Sequence, residues 1–156
     1  MPLFGPPVFV GVGPNLCPRL VRGEDLDNVT GEWSKPGGYT TIASDYYIPV
    51  DYTNNTYYTL SYNVSDFPSN TRTMVFAYNA NKEFVGRCGG NSDAVRTLSA
   101  ANYTLGTPAG TGTPAYLRVR VYNATFSDTL ANALHIQLEP GNTASAYRVR
   151  SMEYIN

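Results

Sequence analysis

Residues 115–124 read AYLRVRVYNA and show the most regular alternation of apolar and polar side chains in the chain. Small and branched apolar side chains fall on one side: Ala115, Leu117, Val119 and Val121. Tyrosine and arginine share the other side: Tyr116, Arg118, Arg120 and Tyr122. A two-residue period is that of a β-strand, whose successive side chains point to opposite faces. The stretch therefore predicts a strand with one face in a core and the other directed outward.

Further strand patterns recur at short intervals on both sides of this stretch. They cover residues 44–50, 57–64, 72–80, 83–89, 134–139 and 146–155. The sequence Asn-Ala-Asn-Lys at 79–82 predicts a turn that pairs two of these strands as a hairpin. No long segment keeps a helical period, and residues 92–99 allow at most a short helical turn. Strands at this spacing, without a β-α-β rhythm, predict an all-β fold, an antiparallel β-sandwich.

The segment 135–147, HIQLEPGNTASAY, predicts the strand and turn that close the sandwich. Ile136 and Leu138 are expected in the core, and the polar residues around them are expected to point outward: His135, Gln137 and Glu139. The strand is expected to end at residues 140–141, because proline lacks an amide donor and glycine accepts a positive φ. Small residues then lead the chain across the end of the sandwich to Tyr147, where the next strand is expected to begin.

Residues 1–14 differ in composition from the rest of the chain. They hold four prolines and three glycines, which exclude a regular helix or a central strand. Their bulky apolar side chains are also unlike those of a polar disordered tail. We expect an extended arm that anchors the protein on a neighbouring subunit through Phe4, Val8, Phe9 and Val10. Residues 15–156 are expected to form one sandwich domain, which suits a chain of 156 residues.

The charge balance excludes several classes of partner. Charged residues make up 15% of the chain and the net charge is −1, so the basic footprint of a nucleic-acid-binding protein is missing. No apolar run approaches the ~20 residues that a membrane span requires. The N-terminus lacks the basic start and helix-forming apolar region of a signal peptide. We therefore expect synthesis in a cytoplasm and neither a nucleic-acid nor a membrane partner.

The motifs of catalysis and metal binding are weak. The only histidine is His135, no Gly-x-Ser-x-Gly occurs, and no cluster has zinc-ligand spacing, so we expect neither an enzyme nor a cofactor. The stretch DLDNVTGE at 25–32 only partly matches a calcium loop, and a structural calcium ion there stays an alternative. Cys17 and Cys88 are expected to be free thiols, with a disulfide between them as the alternative.

The order of motifs resembles a known family. The strand YYIPV is followed by YYTLSYNV and VFAYNANKEFVG, then by TPAYLRVRVYNA and finally by IQLEPGNTASAY. This series, over residues 15–147, is similar to the carbohydrate-binding-module-like jelly-roll domains of bacteriophage tail, baseplate, fibre and capsid-decoration proteins. The resemblance implies a jelly-roll β-sandwich on the virion surface, made in the host cytoplasm and contacting other virion proteins. It also implies a homo-oligomer, for which we expect a trimer.

Candidate glycan-binding residues follow from the chemistry of sugars. Aromatic rings stack on the apolar face of a pyranose, and planar polar side chains bind its hydroxyls. The candidates are Trp33, Tyr116, Arg118, Arg120, Tyr122 and Gln137. Each also has a structural interpretation: the arginines as cross-strand partners of Glu139, and Trp33 as a cap on the core.

Two functions are consistent with these features. The first is a phage virion surface protein whose sandwich attaches to a host or environmental polysaccharide. The alternative is a structural decoration or cement protein of the capsid or tail that has no glycan ligand and is anchored by the arm of residues 1–14.

Overall fold

The computed structural model of the chain describes residues 15–18, 20–22, 25–34, 41–44, 47–63, 65, 67–123, 125–127 and 134–147. The arm predicted at 1–14 lies outside these residues, as does most of the strand predicted at 146–155. The strands, in chain order, are β1 (Val21–Arg22), β2 (Asp25–Leu26), β3 (Trp33–Ser34), β4 (Thr41–Ala43), β5 (Ile48–Pro49), β6 (Tyr57–Ser61), β7 (Arg72–Tyr78), β8 (Phe84–Arg87), β9 (Val95–Ser99), β10 (Tyr116–Tyr122) and β11 (Gln137–Pro140). A short 3₁₀ helix occupies Ala100–Asn102.

The strands form two antiparallel sheets and a two-stranded ribbon, so the all-β prediction is confirmed. The large sheet has the order β1-β4-β10-β7-β8, and β5 also pairs with β10. The small sheet has the order β11-β6-β9, and β2 pairs with β3. Proline ends the short strand β5, as expected for a residue without an amide donor.

Strand β10 is the centre of the large sheet. It pairs with β7 over seven residues, from Tyr116 opposite Tyr78 to Tyr122 opposite Arg72. It also pairs with β4 and β5 on its other edge. The alternation read from the sequence is confirmed, because Leu117, Val119 and Val121 all have no exposed surface and lie in the main core.

The main core lies between the inner faces of the two sheets, which gives the molecule its sandwich character. Apolar side chains of both sheets meet there: Leu60, Val75, Ala77, Leu98, Leu117, Val119, Val121 and Leu138. The two cysteines belong to the same core, and both Cys17 and Cys88 are free thiols. Burial raises the pKa of the Cys88 thiol, which accepts a hydrogen bond from the Val75 amide at 3.1 Å.

The predicted hairpin of β7 and β8 is confirmed. The amide of Asn79 donates to the carbonyl of Glu83, and the amide of Lys82 donates back to the carbonyl of Asn79. The Asn79 side-chain oxygen also accepts from the amides of Asn81 and Glu83 at 3.0 Å each. The asparagine therefore closes the turn with its own side chain.

The prediction of at most a short helical turn at 92–99 is wrong. Residues Val95–Ser99 form strand β9, which pairs with β6 over its whole length. Leu98 then enters the core opposite Tyr58. The edge of β6 offers backbone partners to this segment, and tertiary pairing overrides a weak local signal. The helical turn occurs one step later, at Ala100–Asn102.

The closing segment of the fold confirms the predicted register but not the predicted exposure. Leu138 has no exposed surface and Ile136 is buried, while His135 is exposed. Strand β11 ends at Pro140, and Gly141 follows with a φ of 100°. Gln137 and Glu139 were expected outward, and they do lie on the face opposite Leu138. They are nevertheless buried, at 2% and 4% exposure, because the chain after Gly141 folds back over them.

No helix in the described part of the chain is long and apolar enough to cross a membrane.

Replacing Leu138 with alanine is expected to lower the free energy of unfolding by about 2–5 kcal/mol, because the truncation leaves a cavity between the two sheets. His135→Ala, which truncates an exposed side chain three positions away, serves as the control and is expected to change stability by no more than about 0.5 kcal/mol. Chemical denaturation of both variants measures the difference. Equal losses in the two variants would contradict the placement of Leu138 in the core.

Candidate functional site

The outer face of the large sheet is covered by a ribbon, residues 25–34, that contains β2 and β3. Leu26 pairs with Trp33 across the ribbon and packs onto the sheet. It contacts a second apolar cluster on that face, made of Met74, Phe76, Tyr78 and Phe84. The polar face predicted for the sheet is therefore a second buried layer, and the ribbon is what buries it.

The turn of the ribbon is held by Asp27. Its carboxylate accepts the amides of Val29 and Thr30, both at 2.8 Å. These bonds from Thr30 and then Val29 lower the pKa of Asp27. Gly31 closes the turn with a φ of 67° and donates its amide to the carbonyl of Asp27 at 2.9 Å. The partial calcium motif thus folds as a turn, and the described residues bring no three metal-ligating side chains together.

Hydrogen bonds from other elements fix the ribbon in place. The Tyr78 hydroxyl donates to the carbonyl of Gly31 at 2.6 Å, and Arg87 Nε donates to the carbonyl of Asn28 at 2.7 Å. The amide of Thr107 donates to the carbonyl of Val29 at 2.7 Å. Since each acceptor is a backbone carbonyl, these hydrogen bonds do not depend on the side chains of Asn28, Val29 and Gly31.

Arg118 lies beneath the ribbon, enclosed by aromatic rings. Its guanidinium carbon is 4.0 Å from the ring centre of Tyr47, 5.0 Å from that of Trp33 and 5.7 Å from that of Tyr78. The side chain is only 8% exposed, and Nε has no hydrogen-bond partner among the described residues. The electron-rich faces of these rings stabilise the cation.

Trp33 covers this cation and remains 39% exposed. Beside it, Lys82 Nζ lies 5.3 Å from the ring centre of Tyr47 and 5.5 Å from that of Tyr116. The two tyrosine rings meet edge to face, with centres 5.8 Å apart. We call the group formed by Trp33, Tyr47, Lys82 and Tyr116, with Arg118 beneath it, the Trp33 surface.

Arg120 and Tyr122 lie on the same face of β10 as Arg118, and their contacts are those of structural residues. Arg120 is buried; its Nη1 donates to the carbonyl of Leu26 at 2.9 Å, and its guanidinium carbon lies 4.6 Å from the Tyr122 ring centre. The outward exposure predicted for Arg118 and Arg120 is therefore wrong, because the sequence of β10 does not show what packs over it. The suggested pairing of these arginines with Glu139 is also wrong, since Glu139 lies on the small sheet.

Gln137 stands apart from the other candidates, on the outer face of the small sheet. Its side-chain amide donates to Glu139 Oε2 at 2.8 Å and to the carbonyl of Ser145 at 3.2 Å. Glu139 in turn accepts the Ser145 hydroxyl at 2.7 Å and the Ser145 amide at 3.1 Å. Together these two side chains hold the returning chain against β11, which gives each buried polar group its partners.

The electrostatics of the Trp33 surface are mixed. Burial raises the pKa of Tyr78, and the positive charge of Arg118 beside it partly opposes that shift. Glu32 lies close enough to raise the pKa of Tyr78 a little further. The surface thus combines two cations and a carboxylate around several rings, and it has no strong excess of either sign.

The structure brings together Trp33, Tyr116 and Arg118 from the predicted set. It adds Tyr47 and Lys82, which the sequence did not indicate as site residues. Tyr47 directly precedes β5, which pairs with β10, so its place beside Arg118 follows from a pairing that is invisible in the sequence. Lys82 sits in the 79–83 turn with a φ of 63°, which directs it toward the same rings.

Comparisons with protein-family models, with curated proteins and with solved structures each gave no match for this chain.

Replacing Arg118 with lysine is expected to red-shift the emission of Trp33 and to increase its quenching by acrylamide, because an ammonium lacks the flat guanidinium that packs against the indole. Trp33 is the only tryptophan in the chain, so its fluorescence reports this contact directly. Arg96→Lys is the matched control, since Arg96 belongs to the small sheet. An unchanged spectrum in Arg118→Lys would contradict the stacking.

Proposed function

We propose that this protein is a glycan-binding β-sandwich of a phage virion surface and that the Trp33 surface contacts the polysaccharide. The jelly-roll topology belongs to the same proposal, and it rests on the resemblance of the strand series to phage tail and decoration domains. The two antiparallel sheets and their shared core are consistent with that topology.

The observation that carries the proposal is a half-exposed indole whose ring lies over a buried cation. A pyranose presents an apolar face of C–H groups, and an aromatic ring of fixed orientation can cover it at little cost in side-chain entropy. Arg118 fixes the orientation of Trp33 from below, with 5.0 Å between guanidinium carbon and ring centre. Arg118 is thus a positioning residue, and Trp33 provides the contact with the sugar.

Polar groups around the indole supply the directional contacts that stacking lacks. Two such groups are the Lys82 ammonium and the Tyr116 hydroxyl. The ammonium of Lys82 contacts the Tyr116 ring, so the two side chains lie side by side. Ammonium groups donate to sugar hydroxyl oxygens, and phenol groups both donate and accept. A few such groups beside an apolar platform are the usual composition of a small-ligand site.

Trp33→Ala is expected to weaken polysaccharide binding at least about tenfold, because the stacked contact is lost. An array of purified bacterial capsular polysaccharides, O-antigens and wall teichoic acids identifies the ligand, and isothermal titration then gives the Kd of each variant. Tyr57→Ala is the matched control, since Tyr57 is 41% exposed against 39% for Trp33 but lies on the small sheet.

Circular dichroism and the Tm of each variant show whether the fold is retained. If the intact protein binds no polysaccharide of the array, glycan binding is wrong. If Trp33→Ala and Tyr57→Ala bind the same polysaccharide equally well, the ligand is held elsewhere on the sandwich.

The alternative function, a structural decoration of the capsid or tail, is favoured by one observation. Val29 and Leu105 are exposed apolar side chains on neighbouring segments, which are joined by the bond from the Thr107 amide to the Val29 carbonyl. Exposed apolar side chains on adjoining segments offer apolar surface to a protein partner. On this alternative the protein contacts other virion proteins, as a trimer, and residues 1–14 form the anchor.

Deleting residues 2–13 is expected to release the protein from phage particles if the arm is the anchor. The amount of protein that sediments with purified particles measures this, and light scattering of the free protein gives the oligomeric state. Full occupancy of particles by the truncated protein would contradict an anchoring role for Phe4, Val8, Phe9 and Val10.

A further inference from the structure

A cleft of about 330 Å³ lies on the outer face of the small sheet, opposite the face that carries the Trp33 surface. A row of three paired residues, one from each strand, crosses the sheet at its floor: Gln137, Ser61 and Val95. The closing segment, residues 141–147, forms its side. The full lining is Ser61, Tyr62, Asn63, Val95, His135, Gln137, Ala144, Ser145 and Tyr147. The volume is at the lower end of the range for small-ligand sites, ~300–1,000 Å³.

Aromatic rings in fixed positions form part of this cleft. Tyr147 is 44% exposed, and its ring lies against that of His135 with centres 4.8 Å apart. The Tyr62 ring is stacked on Phe67 at 4.0 Å, and its hydroxyl donates to the carbonyl of Ser92 at 2.7 Å. These contacts restrict the rings before any ligand arrives, which lowers the entropy cost of binding.

The remaining lining offers uncharged hydrogen-bonding groups. Ser61 contributes a hydroxyl and Asn63 contributes a side-chain amide. Gln137 and Ser145 also line the cleft, and they bond to each other and to Glu139. Amides and hydroxyls can both donate and accept, which matches the hydroxyl groups of a sugar. Val95 and Ala144 add apolar surface beside them.

Full charges are missing from the lining, which holds no aspartate, glutamate, lysine or arginine among the described residues. Glu139, on the same strand as Gln137, is 4% exposed and accepts hydrogen bonds from Gln137 and Ser145. Burial raises the pKa of the Tyr62 hydroxyl, and the negative charge of Asp93 raises it further. Among the described residues of the lining, a ligand anion would therefore lose its water without meeting a cationic side chain.

We propose that this cleft binds one neutral pyranose unit, stacked on Tyr147 and hydrogen-bonded by Asn63 and Ser61. This inference rests on the proposed function, because both assume that the ligand is a saccharide. It adds a second site on the opposite face of the sandwich and a preference for uncharged sugars. Since the two sheets separate the sites, one short saccharide cannot occupy both, and the two can be tested independently.

The experiment titrates the intact protein with methyl glycosides and follows backbone amide chemical shifts. Methyl glucoside and methyl glucuronoside form a matched pair that differs by one carboxylate, and methyl galactoside, mannoside and N-acetylglucosaminide extend the neutral set. A neutral glycoside is expected to shift the signals of Asn63, His135 and Tyr147. The glucuronoside is expected to bind at least about tenfold more weakly than that neutral sugar.

Tyr147→Ala is expected to weaken binding of the neutral glycoside about tenfold. Tyr57 is an exposed tyrosine on the same sheet outside the cleft, and Tyr57→Ala is expected to leave the Kd of the glycoside unchanged. The inference is overturned if none of the neutral glycosides shifts these signals, if the glucuronoside binds equally well, or if Tyr147→Ala has no effect.

Trp33→Ala separates this inference from the proposed function. It is expected to retain glycoside binding in the cleft and to lose the polysaccharide. Loss of polysaccharide in Trp33→Ala, together with no glycoside binding in the wild-type cleft, supports the proposed function and overturns the inference. If the protein binds glycosides in the cleft but binds no polysaccharide, the inference is supported and the proposed function is wrong.

Discussion

The pairing of β10 with β7 is the constraint on which the other features depend. Over seven residues the two strands stay in register, so every second side chain of each strand points to the same face. One face supplies Leu117, Val119 and Val121 to the main core. The other face carries Arg118 and Arg120, which are buried in a second layer. Aromatic rings of the ribbon and of neighbouring strands contact both guanidinium groups and offset the cost of burying them. A shift by one residue would exchange the arginines with the valines and destroy both layers.

The strands that alternate strongly could be predicted from the sequence, and so could their faces. The 115–124 stretch, the 79–82 turn and the inward direction of Leu138 follow from local periodicity and turn chemistry. The burial of Arg118 and of Gln137 could not be predicted, because the segments that cover them, 25–34 and 141–147, are distant or irregular. Strand β9 was missed for a related reason: residues 95–99 alternate weakly, and their structure depends on the open edge of β6. The candidate site was predicted only in part, since Tyr47 and Lys82 reach it through tertiary pairing.

On each outer face of the sandwich, a segment outside the main sheet determines which side chains are presented. On the large sheet the ribbon adds an indole and encloses a cation, which gives a surface of rings and charges. On the small sheet the closing segment is held by Gln137 and Glu139 and leaves a cleft lined by amides, hydroxyls and rings. The two added segments use different means of attachment: hydrogen bonds to backbone carbonyls in the first, and a buried carboxylate in the second.

The way in which the ribbon is attached has a consequence for how such a surface diversifies. The donors from Tyr78, Arg87 and Thr107 bind backbone carbonyl oxygens of the ribbon. Every residue type offers the same carbonyl acceptor, whatever its side chain. Substitutions at exposed ribbon positions such as Val29 and Trp33 therefore leave these anchors intact, provided that Asp27 and Gly31 keep the turn. The exposed side chains of this loop can therefore vary while the sheets beneath it stay the same, much as variable loops change on a constant immunoglobulin framework.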